Sequence, residues 1–128
     1  MKLLVAALLA VFSTSVMAEW TEVGGNDDQT TYADLSTIRK SGDKVKMWDL
    51  LNYKVAKTSA AGKLVLSSVD QDEYDCKEEI RRPLAIIWYS KNMGVGEVVY
   101  TSGAMHEEFR PIAPGSIANT LFKLACGK

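Results

Sequence analysis

The chain has 128 residues, with 15 lysines and arginines against 16 aspartates and glutamates and one histidine, for a formal net charge of −1. That near-balance excludes bulk nucleic-acid binding, and the length suits one compact domain with a modest core. One histidine and two cysteines, without a Cys-x-x-Cys pair, argue against metal or redox chemistry, so no cofactor and no metal ligand are expected.

Met1-Lys2 is a short basic start, Leu3 to Phe12 an unbroken apolar run, and Ser13 to Ala18 a small-residue exit ahead of Glu19-Trp20. The run is too short to span a bilayer, so residues 1–18 read as a cleaved export signal and residues 19–128 as the working domain. This implies an exported protein, periplasmic or secreted, with no integral membrane segment left after cleavage. No cysteine stands at the cleavage site, so no lipid anchor is encoded there. An even cysteine count in an oxidising compartment predicts one disulfide, Cys76–Cys126. Closing a loop of about 50 residues stabilises a fold by roughly 4 kcal/mol in the chain-entropy picture.

Gly24 to Asp28 is turn chemistry, which makes Trp20–Val23 and Thr30–Ala33 the first hairpin or its approach. Asp34 to Lys40 reads as a helical turn or loop ending at Ser41-Gly42-Asp43. Lys44 to Val55 is a long strand whose odd positions form an apolar face, with Asp49 the exception. Its even positions are polar apart from Trp48 and Leu50. Ala60 to Lys63 turns into a second long strand, Leu64 to Tyr74. Ile80 to Tyr89 follows, apolar on both faces from Leu84 onward, as a central strand covered on both sides would be. Lys91 to Gly94 turns the chain and Glu97 to Thr101 returns it.

The last element is a helix: Ser116 is its N-cap, Ile117, Leu121 and Leu124 share a face, Phe122 and Ala125 widen it, and Gly127 stops it. The expected fold is therefore α+β, an antiparallel meander with a C-terminal helix packed on one face and tied by one disulfide. Two covers are open for the other face: a homodimer contact through Trp48 and Leu50, or the N-terminal segment folded across it.

Charge comes in blocks. Residues 39–63 carry Arg39, Lys40, Lys44, Lys46, Lys54, Lys57 and Lys63 against Asp43 and Asp49, between two acidic stretches. Oppositely charged strands can simply pair across a sheet, or the basic stretch can be a binding face. Catalytic patterns are scarce. His106-Glu107-Glu108 starts like a zinc-protease signature, but Arg110 stands where the second histidine belongs, so His106 reads as solvated. Helix capping accounts for Ser116. Asp70, Asp72 and Glu73 resemble part of a calcium loop, yet Tyr74 occupies a ligand position, so Asp70 and Asp72 read as a solvated strand edge.

The ordered motifs carry a resemblance. Trp20 near the mature start, Tyr32-Ala33-Asp34-Leu35-Ser36-Thr37-Ile38-Arg39 and Tyr74-Asp75-Cys76 form its first half. Met93 to Tyr100, Pro111 to Ser116 and a closing Cys126 form its second. Together they resemble the surface-adhesin protein E family of exported bacterial proteins. The resemblance implies a small antiparallel sheet disulfide-bonded to a C-terminal helix, and a non-enzymatic binding role toward a protein or glycoprotein partner such as host matrix. The seven bases from Arg39 to Lys63 are the candidate contact on electrostatic grounds. The alternative expectation is a soluble periplasmic envelope protein acting as an inhibitor or assembly factor.

Overall fold

The computed structural model describes residues 18–128; the predicted signal segment lies, but for Ala18, outside them. Among the described residues, seven strands form a single antiparallel sheet: β1 (Thr21–Gly25), β2 (Gln29–Ser41), β3 (Lys44–Thr58), β4 (Leu64–Asp75), β5 (Ile80–Tyr89), β6 (Val98–Ser102) and β7 (Arg110–Pro111). They run in chain order from β1 to β6, and the short β7 shares the outer edge of β5 with β6. One helix, α1 (Ile117–Cys126), closes the chain. The expected meander and helix are both present.

Helix α1 starts where Ser116 Oγ accepts from the amide of Asn119 at 3.1 Å, and it stops at Gly127, whose left-handed φ of 69° suits glycine. Leu121, Phe122 and Ala125 pack on Ala33, Val45, Met47 and Tyr74, all nearly or fully buried. The Tyr74 and Phe122 ring centroids lie 6.3 Å apart. Helix and edge strand approach so closely that a Cβ at Gly24 would overlap Ile117 Cδ1. Cys76 and Cys126 are joined as predicted, tying the loop after β4 to the last turn of α1.

Three expectations need correction. The Asp34–Lys40 stretch is not a separate turn: β2 runs through it as a strand with an irregularity between Asp34 and Arg39. Turn-forming side chains cause it. Asp34 Oδ1 accepts from the amide of Ser36, Thr37 Oγ1 donates to Asp34 O, and Thr37 Oγ1 accepts from the amide of Trp48. A local turn preference is thereby absorbed as a bulge.

The second correction concerns cover. The N-terminal segment joins the sheet as edge strand β1 and does not fold across the face opposite α1. The turn Asn92–Gly94 between β5 and β6 folds over that face instead. Asn92 Nδ2 donates to Asn52 Oδ1 and Tyr53 O, and the Gly94 amide donates to Ser67 Oγ. Gly94, at φ 69°, sits so near Leu50 and Val69 that a side chain there would crowd both. Leu50 is thus fully buried by its own chain and needs no second copy for cover. Third, β5 is flanked on both edges but only half-buried along its whole length, because neither α1 nor the Asn92–Gly94 turn extends over all of it.

Candidate functional site

Strand β3 divides the seven candidate bases into two groups. Arg39, Lys40, Lys44 and Lys46 lie together at the β2–β3 hairpin, where Lys46 is opposite Arg39 and Lys44 opposite Ser41. Lys54, Lys57 and Lys63 lie toward the other end, with Lys46 and Lys54 separated by roughly 26 Å at about 3.3 Å per residue. Lys54 Nζ donates to Asn26 O at 2.9 Å, and Lys57 lies over the Tyr53 ring. All seven are exposed. Among the described residues none of them makes an ion pair, although Lys44 and Lys46 stand in register with Asp75 and Glu73.

The hairpin group is extended by residues that sequence reading left out. Glu73 is taken by Arg82, whose Nη2 donates to Glu73 Oε1 at 2.7 Å. The Arg82 guanidinium lies 4.5 Å from the Phe109 ring centroid, and Lys44 Nζ lies 5.6 Å from the same ring. Phe109 thus lies within cation–π reach of two cations, an arrangement that favours aromatic anchorage beside exposed charge. Lys46, Arg82, Met105 and the exposed His106 line a shallow hollow of about 310 Å³ next to it.

A larger concavity is on the other face. Beyond the part covered by α1, the sheet floor carries Thr31, Asp49, Asp70 and Asp72, and the groove above it measures about 600 Å³. Leu51, Pro83, Ile86, Ile117 and Leu121 form apolar walls, and Arg81, Arg110 and Glu107 complete the charges. Asp49 stands directly opposite Asp70 in the β3–β4 register, and both strands are internal. Asp70 and Asp72 do share a direction, as expected, but they face this floor; Asp72 is only 6% exposed and Asp49 only 3%. The solvated-edge expectation is therefore corrected: later strands and α1 wall the positions in.

Burial raises the pKa of all three carboxyls. Asp49 is held well above the usual carboxylate range, first by loss of water and then by the charge of Asp72 and a hydrogen bond with it. Asp72 is raised by burial, against the opposing effects of its Asp49 hydrogen bond and of Arg81, whose Nη1 lies 3.8 Å from Asp72 Oδ2. Asp70 is pushed up to about 6 by burial, although the Ser68 hydroxyl donates to it at 2.6 Å. Tyr74, beside Asp72, is raised by the same burial, with Arg81 opposing it, and its hydroxyl makes no well-formed hydrogen bond among the described residues. Among the described residues, no three side chains of His, Cys, Asp or Glu are arranged to hold a metal ion.

The sequence held one clue to this floor: Asp49 interrupts an apolar face, and Asp70 and Asp72 alternate on a neighbouring strand. Their meeting depends on the β3–β4 register, which residue types do not specify.

Comparison with known proteins gives a consistent picture. The surface-adhesin protein E family model matches residues 20–127. No curated protein matches the sequence. The fold is similar to crystal form II of Haemophilus influenzae protein E, with a TM-score of 0.67 and 13% identity over 89% of this chain and 91% of that one. The selenomethionine form of the same protein gives a TM-score of 0.64 at 13% identity, covering 89% and 90%.

Proposed function

This chain belongs to the surface-adhesin protein E family, and from that premise we propose that it is an exported, non-enzymatic binding protein of the adhesin type. Its partner is a glycoprotein or another macromolecule with an acidic surface. The contact is the basic hairpin end formed by Arg39, Lys40, Lys44 and Lys46, with Phe109 beside it. Lys54, Lys57 and Lys63 are a second, separate contact toward the far end of β3. The observation that carries this reading is that exposed bases cluster at the hairpin and, among the described residues, have no ion pair to neutralise them. Such charges steer an acidic partner and add an ionic contact when it docks.

Capture of the oxidised domain on immobilised laminin, as a representative matrix glycoprotein, tests the reading. Lys44→Glu with Lys46→Glu should weaken capture by on the order of tenfold and flatten its salt dependence. Capture unchanged by the double reversal would remove the hairpin end as the contact. Absence of saturable capture would remove this class of partner. Among the described residues, no helix is long and apolar enough to cross a membrane.

A further inference from the structure

We propose that the groove over Asp49 and Asp70 binds a primary alkylammonium group on an apolar stem, and that its occupant is a lysine side chain of a partner polypeptide. The site lies on the opposite face from Lys44 and Lys46, so it stands or falls apart from the basic end.

Charge accounting across the groove comes first. Arg81 lies against Asp72, and Arg110 lies 3.8 Å from Glu107. Asp49, hydrogen-bonded to Asp72, and Asp70 are left facing each other, and among the described residues neither makes an ion pair. A buried carboxylate without a cation is costly, and a ligand that supplies one recovers that cost.

The second observation is independent of charge. Thr31 lines the same floor, is 0% exposed, and its Oγ1 has no hydrogen-bond partner among the described residues. Buried hydroxyls are nearly always paired, so an unpaired one lining a groove marks a position for a donor. Asp49, Asp70 and Thr31 thus offer three acceptors. An ammonium carries three donors and no acceptor, which fits that set. A metal ion fits less well, because among the described residues no three side chains of His, Cys, Asp or Glu are grouped to hold one. Leu51, Pro83, Ile86 and Ile117 give a methylene stem its apolar contact. The N-terminus of α1 at the rim favours an anion, but only with about half a charge, and Ser116 already caps it. The full carboxylate charge of Asp70, added to the charge that Asp49 and Asp72 share through their hydrogen bond, outweighs it. At about 600 Å³ the groove is larger than one lysine side chain, which leaves room for the backbone that presents it.

The test is a titration of the isotopically labelled, oxidised domain, followed by amide NMR shifts. The probes are a capped lysine tripeptide, its norleucine counterpart and n-butylammonium. The expected result is saturable shifts at Thr31, Asp49 and Asp70 with the lysine peptide at millimolar concentration, at least tenfold weaker for norleucine and lost in Asp70→Asn. Equal binding of the norleucine peptide would overturn the cation site, as would lysine binding unchanged in Asp70→Asn. Butylammonium binding as tightly as the lysine peptide would overturn the polypeptide source. Should the variant fail to fold, the lysine–norleucine contrast on the unsubstituted domain still decides.

Discussion

Two halves of one sheet face are built from the same strands and serve opposite ends. Under α1, β2, β3 and β4 contribute Ala33, Val45, Met47 and Tyr74 to a dry core closed by Leu121, Phe122 and Ala125. A few residues along, the same strands contribute Thr31, Asp49, Asp70 and Asp72 to a concave floor of buried acids. The first half gains stability from apolar area removed from water. The second gives stability away, because each acid loses water and gains little in return. Tyr74 lies at the seam, its ring against Phe122 and its hydroxyl beside Asp72 and Arg81. A marginally stable domain that keeps such a floor has a use for it or pays for nothing.

Truncation on each side measures the contrast most directly. Phe122→Ala opens a cavity in the closed half and should destabilise by about 3–5 kcal/mol. Leu51→Ala, at the half-buried groove wall, should cost only about 1 kcal/mol, since water or side chains can fill the space. Urea unfolding of the two variants would read both values. Similar losses would mean that the groove is as tightly packed as the core.

Acidification should sharpen the difference with the opposite sign. A carboxyl whose pKa is raised on folding binds more protons folded than unfolded between the two values. Stability therefore falls as pH rises through that window and is recovered on acidification. For Asp70 the window runs from the ordinary 3.8 to about 6, and Asp49 and Asp72 are raised in the same direction. The melting temperature should rise by several degrees from about pH 7 to about pH 5, since each pKa unit corresponds to about 1.4 kcal/mol. Asp49→Asn, which keeps a donor for Asp72, should be more stable than the parent at neutral pH by about 1 kcal/mol and show a shallower pH slope. A parent domain that loses stability over this range would refute the buried-acid account.

The dry half was legible in residue types and the wet half was not. Alternation in Lys44–Val55, the 3–4 spacing of Ile117, Leu121 and Leu124, Ser116 before the helix and the cysteine pair all act locally or through one covalent bond. The strands, the helix and the disulfide followed from them. The bulge at Asp34–Arg39 escaped because the same short polar side chains that make free turns can also fold a kink into a strand. The acid floor escaped because charge on a strand is solvated in most proteins. Only the facing of Asp49 by Asp70, and the walls brought by Pro83, Ile86 and Ile117, turn it inward. The basic stretch was legible as charge. That β3 separates it into two groups is a matter of strand length.

The most local expected effect asks whether the two halves are mechanically one. Ser116 caps α1 at the point where the helix stops covering core and begins to wall the groove. Ser116→Ala removes the acceptor for the Asn119 amide and should cost about 1 kcal/mol. The last turn of α1 is held by the disulfide, and Phe122 and Ala125 stay packed, so the loss should appear as fraying of Ile117 and Ala118 alone. Amide exchange in the first helical turn should then quicken while Phe122 and Met47 stay protected. Protection lost equally at Met47 would mean that the groove wall and the core open together, and the division between the halves would be one of chemistry without a matching division in stability.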